Sequence, residues 1–242
     1  GRLTAVRDGP RTTFEKMYTP QNMTKELSRS VDAIRHDDYD GVDVQYVDGR
    51  TWTVETVQCR LPGDIGRKVR RVEAGGITDR TRAWRFGMRE RRVEAYRRWS
   101  NSWATELDAL NSRYLGYVSV SADVPGWPQS ALLLGFTSGN GATLLESSEP
   151  LNWAAEGVHM VGIRRPDGTL SGPYVATRVD DFRLTIPNLD FTPDVSWKIE
   201  PPHLQFGPAT RWCYPVLITD VKPSGTSSVS VSAVNYDDQV YL

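Results

Sequence analysis

Arginine is the residue this chain concentrates where it could do chemistry. From Arg60 to Arg98 there are 13 Lys or Arg against 5 Asp or Glu, a local surplus of eight. The net charge is −1, so the remainder carries −9 and can supply partners. Guanidinium groups at this density could grip phosphates, hold an anionic substrate, or pair carboxylates in bidentate fashion at an interface. The near-neutral total argues against a general polyanion binder, and no recognised nucleic-acid motif accompanies the run. An ion-pair seam, within the chain or between copies, is the reading these charges favour.

Other reactive types are present without a pattern. His36, His159 and His203 sit in unrelated contexts, and HExxH, GxSxG and P-loop motifs are missing. Asp37, Asp38, Asp40, Gly41 and Asp43 suggest a calcium loop. With Gly41 placed sixth, however, His36 falls first and Val47 twelfth, where a calcium loop needs carboxylates. The segment reads as a solvated acidic loop before a strand. Glu146/Glu149 and Asp180/Asp181 could serve glycoside hydrolysis only if their carboxyls stood about 5–10 Å apart across a sugar site. With 30 acids in the chain, adjacent pairs are expected anyway. No catalytic residue, metal ligand or cofactor site is assigned. Gly135, Gly139 and Gly141 precede no helix and read as a hairpin turn. Cys59 and Cys213 form no CxxC pair, and two buried thiols are favoured over a disulfide. The eight tryptophans (Trp52, Trp84, Trp99, Trp103, Trp127, Trp153, Trp197 and Trp212) could face sugars or proteins, but core packing in a β-rich fold is the simpler use.

The elements that position these residues follow from periodicity. Pro10 and Pro20 break any helix in the opening segment, which reads as extended chain with loops. Val42, Val44 and Tyr46 alternate with polar residues. Asp48-Gly49 then intervenes before a second β-rich run, the signature of a hairpin closed by a type I′ turn. Thr78 or Asp79 can cap a helix running to about Arg98. Its apolar stripe is Ala83, Trp84, Gly87, Met88, Ala95 and Tyr96, interrupted where Arg91 and Arg92 take the expected apolar place. From Trp99 the period becomes two, with Trp99, Asn101, Trp103 and Thr105 on one side. "ELDALNSRYLG" reads as a turn or a single helical turn, and "YVSVSADV" as a strand stopped by Pro125-Gly126. Beyond it, short β runs flank Ser138-Gly139-Asn140-Gly141 and Pro166-Asp167-Gly168 and continue to the closing "QVYL". Turn signals every 8–12 residues predict an antiparallel sandwich or barrel. The expected fold is mainly β with one prominent α-helix, in two β-barrel or sandwich-like domains. No run of 18 apolar residues is present, so no membrane span is expected. The chain begins at Gly1, which reads as an excised or processed piece, and no signal peptide is visible.

Four segments carry a family resemblance: "YTPQNM", "DGVDVQYVDGRTWTVETVQCRLPG", "GGITDRTRAWRFGMRERRVEAYRRWSNSWATELDALNSRYLGYVSVSADVPG" and "ITDVKPSGTSSVSVSAVNYDDQVY". In this order they resemble the tip attachment protein, or host-specificity protein J, of lambda-like tailed phages. The resemblance covers nearly the whole chain and is less distinct from Trp127 to Leu204.

It implies a fold of phage tail-hub type. Residues 1–110 would form an N-terminal hub segment and residues 111–242 a C-terminal barrel-like hub domain, the two free to interleave. It further implies a non-enzymatic virion structural protein: a central hub or baseplate hub of a phage or prophage tail tip, assembled in the bacterial cytoplasm. The implied partners are further copies in a homotrimer and the distal tail and tape-measure proteins. No sequence-specific nucleic acid is implied, and host receptor contact would belong to regions outside these residues. Trp84, Arg85, Gly87, Arg92, Tyr96, Arg97, Arg98, Trp103 and Glu106 are the motif positions expected at interfaces, and the arginines are expected to face away from a DNA-conducting lumen. Two rival expectations are a carbohydrate- or cell-wall-binding β module, which needs a cleft with exposed tryptophans, and a cell-wall hydrolase, which needs a carboxylate pair in a cleft.

Overall fold

A computed structural model describes residues 5–122 and 128–242; Trp127 and the expected stop at Pro125-Gly126 lie outside them. The first strands are β1 (Lys16–Tyr18), β2 (Met23–Val31), β3 (Val42–Val47), β4 (Val54–Cys59) and β5 (Arg70–Glu73). The one α-helix among the described residues, α1 (Arg80–Tyr96), precedes β6 (Trp99–Thr105), β7 (Tyr117–Val120), β8 (Gln129–Gly139) and β9 (Ala142–Ser147). Then come β10 (His159–Arg164), β11 (Leu170–Arg178), β12 (Arg183–Pro187), β13 (His203–Pro208), β14 (Tyr214–Ser224) and β15 (Ser228–Asn235). The protein is mainly β with one helix.

Two compact units emerge, and both are discontinuous in sequence. The first holds residues 1–29 and 101–234; the second holds 30–100 and 235–242.

The first unit contains a curled six-stranded sheet in the order β1-β7-β14-β15-β6-β2 and a closed barrel in the order β10-β11-β12-β9-β8-β13. Alternation builds both. In β15, Val229, Val231 and Ala233 point inward between serines. In β6, Asn101, Trp103 and Thr105 are buried as expected, while Trp99 is exposed. Tyr18, Trp103, Val118, Val216 and Ile218 share one core, and Leu133, Leu145, Val161, Leu184 and Phe206 fill the barrel. Asn140 (φ 49°) and Gly141 (φ 79°) turn β8 into β9 with both central residues left-handed. That is the type I′ geometry that Asn-Gly favours. "ELDALN" becomes a short 3-10 helix, Leu107–Asn111.

The second unit is a three-stranded sheet, β4-β3-β5, with α1 packed on β3 and β4. Val42, Val44, Val57, Cys59, Ala83 and Met88 form its core. The expected hairpin is present, pairing Val42 with Cys59 through Val47 with Val54. Its turn differs from expectation. β4 starts only at Val54, and the Asp48 carboxylate accepts the amides of Arg50 (2.8 Å) and Thr51 (3.1 Å), which closes a longer loop. Trp52, at φ 57°, holds the left-handed position and Gly49 does not. The closing "QVYL" is likewise no strand. Asp237 accepts the Gln239 amide at 2.8 Å and starts a 3-10 turn, Asp238–Tyr241, that buries Val240.

Candidate functional site

The site is built around α1. Asp79 caps it by accepting the Arg82 amide at 2.9 Å, satisfying one of the free donors of the first turn. Ala83, Gly87 and Met88 face the sheet. Gly87 is the point of closest approach: a Cβ there would lie 2.4 Å from Cys59 Sγ and 2.4 Å from Val44 Cγ2. Trp84, expected in the apolar stripe, stands at its margin and is 43% exposed. Ala95 and Tyr96 are half-buried, and the Tyr96 carbonyl accepts Asn235 Nδ2 at 2.8 Å.

The arginines divide into two groups. One group is engaged by partners within the unit. Arg91 fills its apolar-stripe position as one half of a largely buried ion pair, donating Nε (2.8 Å) and Nη2 (2.7 Å) to Asp64. Burial alone would raise the Asp64 carboxyl pKa, but the Arg91 guanidinium and the Leu61 amide outweigh it and hold it below the usual range. Arg70 pairs with Glu90 (3.0 Å) and Glu94 (2.6 Å). Arg98 binds Asp38 at 2.7 Å and the carbonyls of Asp32 (2.6 Å) and Ala33 (2.9 Å). Arg97 donates to the Tyr241 hydroxyl. The second group is Arg80, Arg82, Arg85 and Arg92, which form no ion pair among the described residues. Arg80 and Trp84, with Thr81, line an open cleft of about 710 Å³ whose other wall is Thr56, Val57 and Gln58 of β4. Among the described residues β4 is an edge strand that pairs with β3 alone.

Two motif positions lie in the other unit. Trp103 is 2% exposed and packs against Tyr18. Glu106 is exposed and makes no cap hydrogen bond to the 3-10 helix it precedes.

The remaining chemical types are satisfied locally. His203 Nδ1 lies 2.8 Å from Thr19 Oγ1 and Nε2 lies 3.3 Å from Glu200. The arrangement mimics a nucleophile–base–acid relay, but Thr19 is fully buried and out of a substrate's reach. Asp180 pairs with Arg183 (2.6 Å) and Asp181 with Arg178 (2.5 Å), so these acids act as surface ion-pair partners. Asp40 accepts the amides of Arg67 (2.8 Å) and Lys68 (2.7 Å), and Asp43 pairs with Arg60 at 2.7 Å. Among the described residues, no three His, Cys, Asp or Glu side chains gather to hold a metal. Likewise, no helix among them is long and apolar enough to cross a membrane. Trp103 and Trp212 are buried; Trp52, Trp84, Trp99 and Trp197 are exposed.

Both thiols are free and buried, and burial pushes Cys59 up to about 11 and Cys213 up to about 12. At pH 8 a thiol with a pKa near 11 is thiolate in only about one molecule in a thousand. Native protein titrated with a disulfide-exchange reagent is therefore expected to show negligible reaction, with both thiols reacting at once in denaturant. Fast reaction of either thiol in the native protein would contradict the burial.

Sequence reading missed Asp64, Asp38, Arg80 and the open edge of β4. Asp64 and Asp38 are distant in sequence from the arginines they serve, and an edge is a property of sheet order. The unpaired state of Arg80 carries no local signal either. No protein-family model matches the chain, and no curated protein matches it in sequence.

Proposed function

We propose that the chain is a structural component of a phage or prophage tail tip, a central hub segment linking the tail tube and distal tail protein to the receptor-binding tip. Its partners are further copies in a homotrimer and neighbouring tail proteins, and its place is the virion. One observation carries the reading: three residues of the motif set occupy framework positions. Gly87 permits the helix–sheet approach, Arg98 ties the 32–38 loop, and Trp103 sits in the sheet core. Conservative scaffolding of this kind suits a part that holds neighbours in place.

Immunogold electron microscopy of tails from the source strain tests the proposal. Label concentrated at one end of the tail is expected; purified particles that lack the protein would overturn it. Clearing of a peptidoglycan zymogram by the purified chain, abolished by replacing a carboxylate, would favour the hydrolase instead.

A further inference from the structure

The open edge of β4 and the unpaired arginines beside it have no use in the fold. The backbone of Val54–Cys59 pairs with β3 on one side, and its other side makes no backbone hydrogen bond among the described residues. Folded proteins usually shield such edges, because exposed N–H and C=O groups invite a further strand. Here the edge is left beside a cleft walled by Arg80, Thr81 and Trp84. Arg85 follows Thr81 by four residues and so stands one helical turn above it on the same face. Neither Arg80 nor Arg85 has a carboxylate partner among the described residues. The nearby Glu55 is engaged by the Tyr46 hydroxyl at 3.0 Å.

We propose that this edge is a docking site for an extended, acidic segment of another polypeptide, which adds a strand to β4 and sets its carboxylates against Arg80 and Arg85. Alternate side chains of a strand share one face. Acids at every second position of the added strand can therefore all turn toward α1, where Arg80 walls the cleft. A nucleic acid could satisfy the charges, but it carries no row of amides to pair with a strand edge, so the open edge favours a polypeptide.

The test uses the full chain and a fluorescein-labelled peptide alternating glutamate and valine over eight residues, with its lysine–valine counterpart as control. Fluorescence anisotropy is expected to show saturable binding of the acidic peptide only, weakening as salt rises. The double replacement Arg80→Glu/Arg85→Glu, at exposed positions, is expected to lower affinity at least tenfold with an unchanged circular dichroism spectrum. Hydrogen exchange then separates strand addition from loose charge attraction: amides of Val54–Cys59 gain protection only if a strand is added. Equal binding of the lysine peptide, unchanged β4 exchange on binding, or wild-type affinity in the double variant would each overturn the proposal. Tighter binding of single-stranded DNA that displaces the acidic peptide would also overturn it, assigning the cleft to nucleic acid.

Discussion

Asp64→Ala is expected to destabilise the helix-bearing unit by about 3 kcal/mol, because it leaves the Arg91 guanidinium buried without its counter-charge. The Arg91 and Asp64 side chains are only 11% and 8% exposed and are joined by two hydrogen bonds. Replacing both together, Asp64→Leu with Arg91→Met, is expected to recover most of the loss, since a buried pair is worth little more than apolar residues of its size. Native-state hydrogen exchange of the α1 amides reads both variants. A single-variant loss under about 1 kcal/mol, or a double variant as unstable as the single, would show that the pair is solvated.

The same pair sets an acid sensitivity. The folded Asp64 pKa is held below the ordinary carboxyl value. The pair therefore contributes fully above the unfolded value of about 3.9 and is lost as pH falls through the folded pKa. The part of the acid-induced loss of α1 protection that Asp64 supplies should be missing in Asp64→Ala.

Gly87→Ala should destabilise the same unit, against the usual effect of removing a helical glycine. On propensity alone the change would stabilise by about 1 kcal/mol. But the new methyl would stand 2.4 Å from both Cys59 Sγ and Val44 Cγ2, each on a strand beneath the helix. Overpacking of this kind typically costs about 1–3 kcal/mol and shifts the backbone. The net expectation is a lower urea midpoint and weaker protection of α1, with Gly87→Val worse. A second readout is specific to the clash. Pushing α1 away from β4 uncovers Cys59, whose thiol should then react in the native state. A Gly87→Ala protein as stable as wild type, with Cys59 still unreactive, would mean the helix lifts at no cost.

Elements whose two faces differ were readable from residue order. "SVSVSAVN" alternates because one side of β15 is core and the other is not. Asp79 was readable as a cap because the donors it satisfies are its own neighbours. Elements covered on both sides were harder to see. In β13 the run His203–Gly207 is buried throughout, and in β1 even Lys16 is buried, its ammonium donating to the Asp108 carbonyl at 2.7 Å. With no exposed face, period two vanishes. Asp48-Gly49 misled for a related reason. The dipeptide permits a tight turn, but the Asp48 carboxylate caps a longer loop and the strand begins later.

Sequence alone determined the mainly β class, the one helix and its cap, the hairpin around Asn140-Gly141, and the concentration of arginine on that helix. These rest on interactions within a few residues of chain, where order dictates geometry. The tertiary structure alone decided that Arg91 is buried against Asp64, that Gly87 touches Cys59, that β4 is an open edge, and that the two units are woven from separated segments. Each depends on which distant strand or loop arrives beside the helix. That choice is made by packing the whole core at once, and no local pattern encodes it.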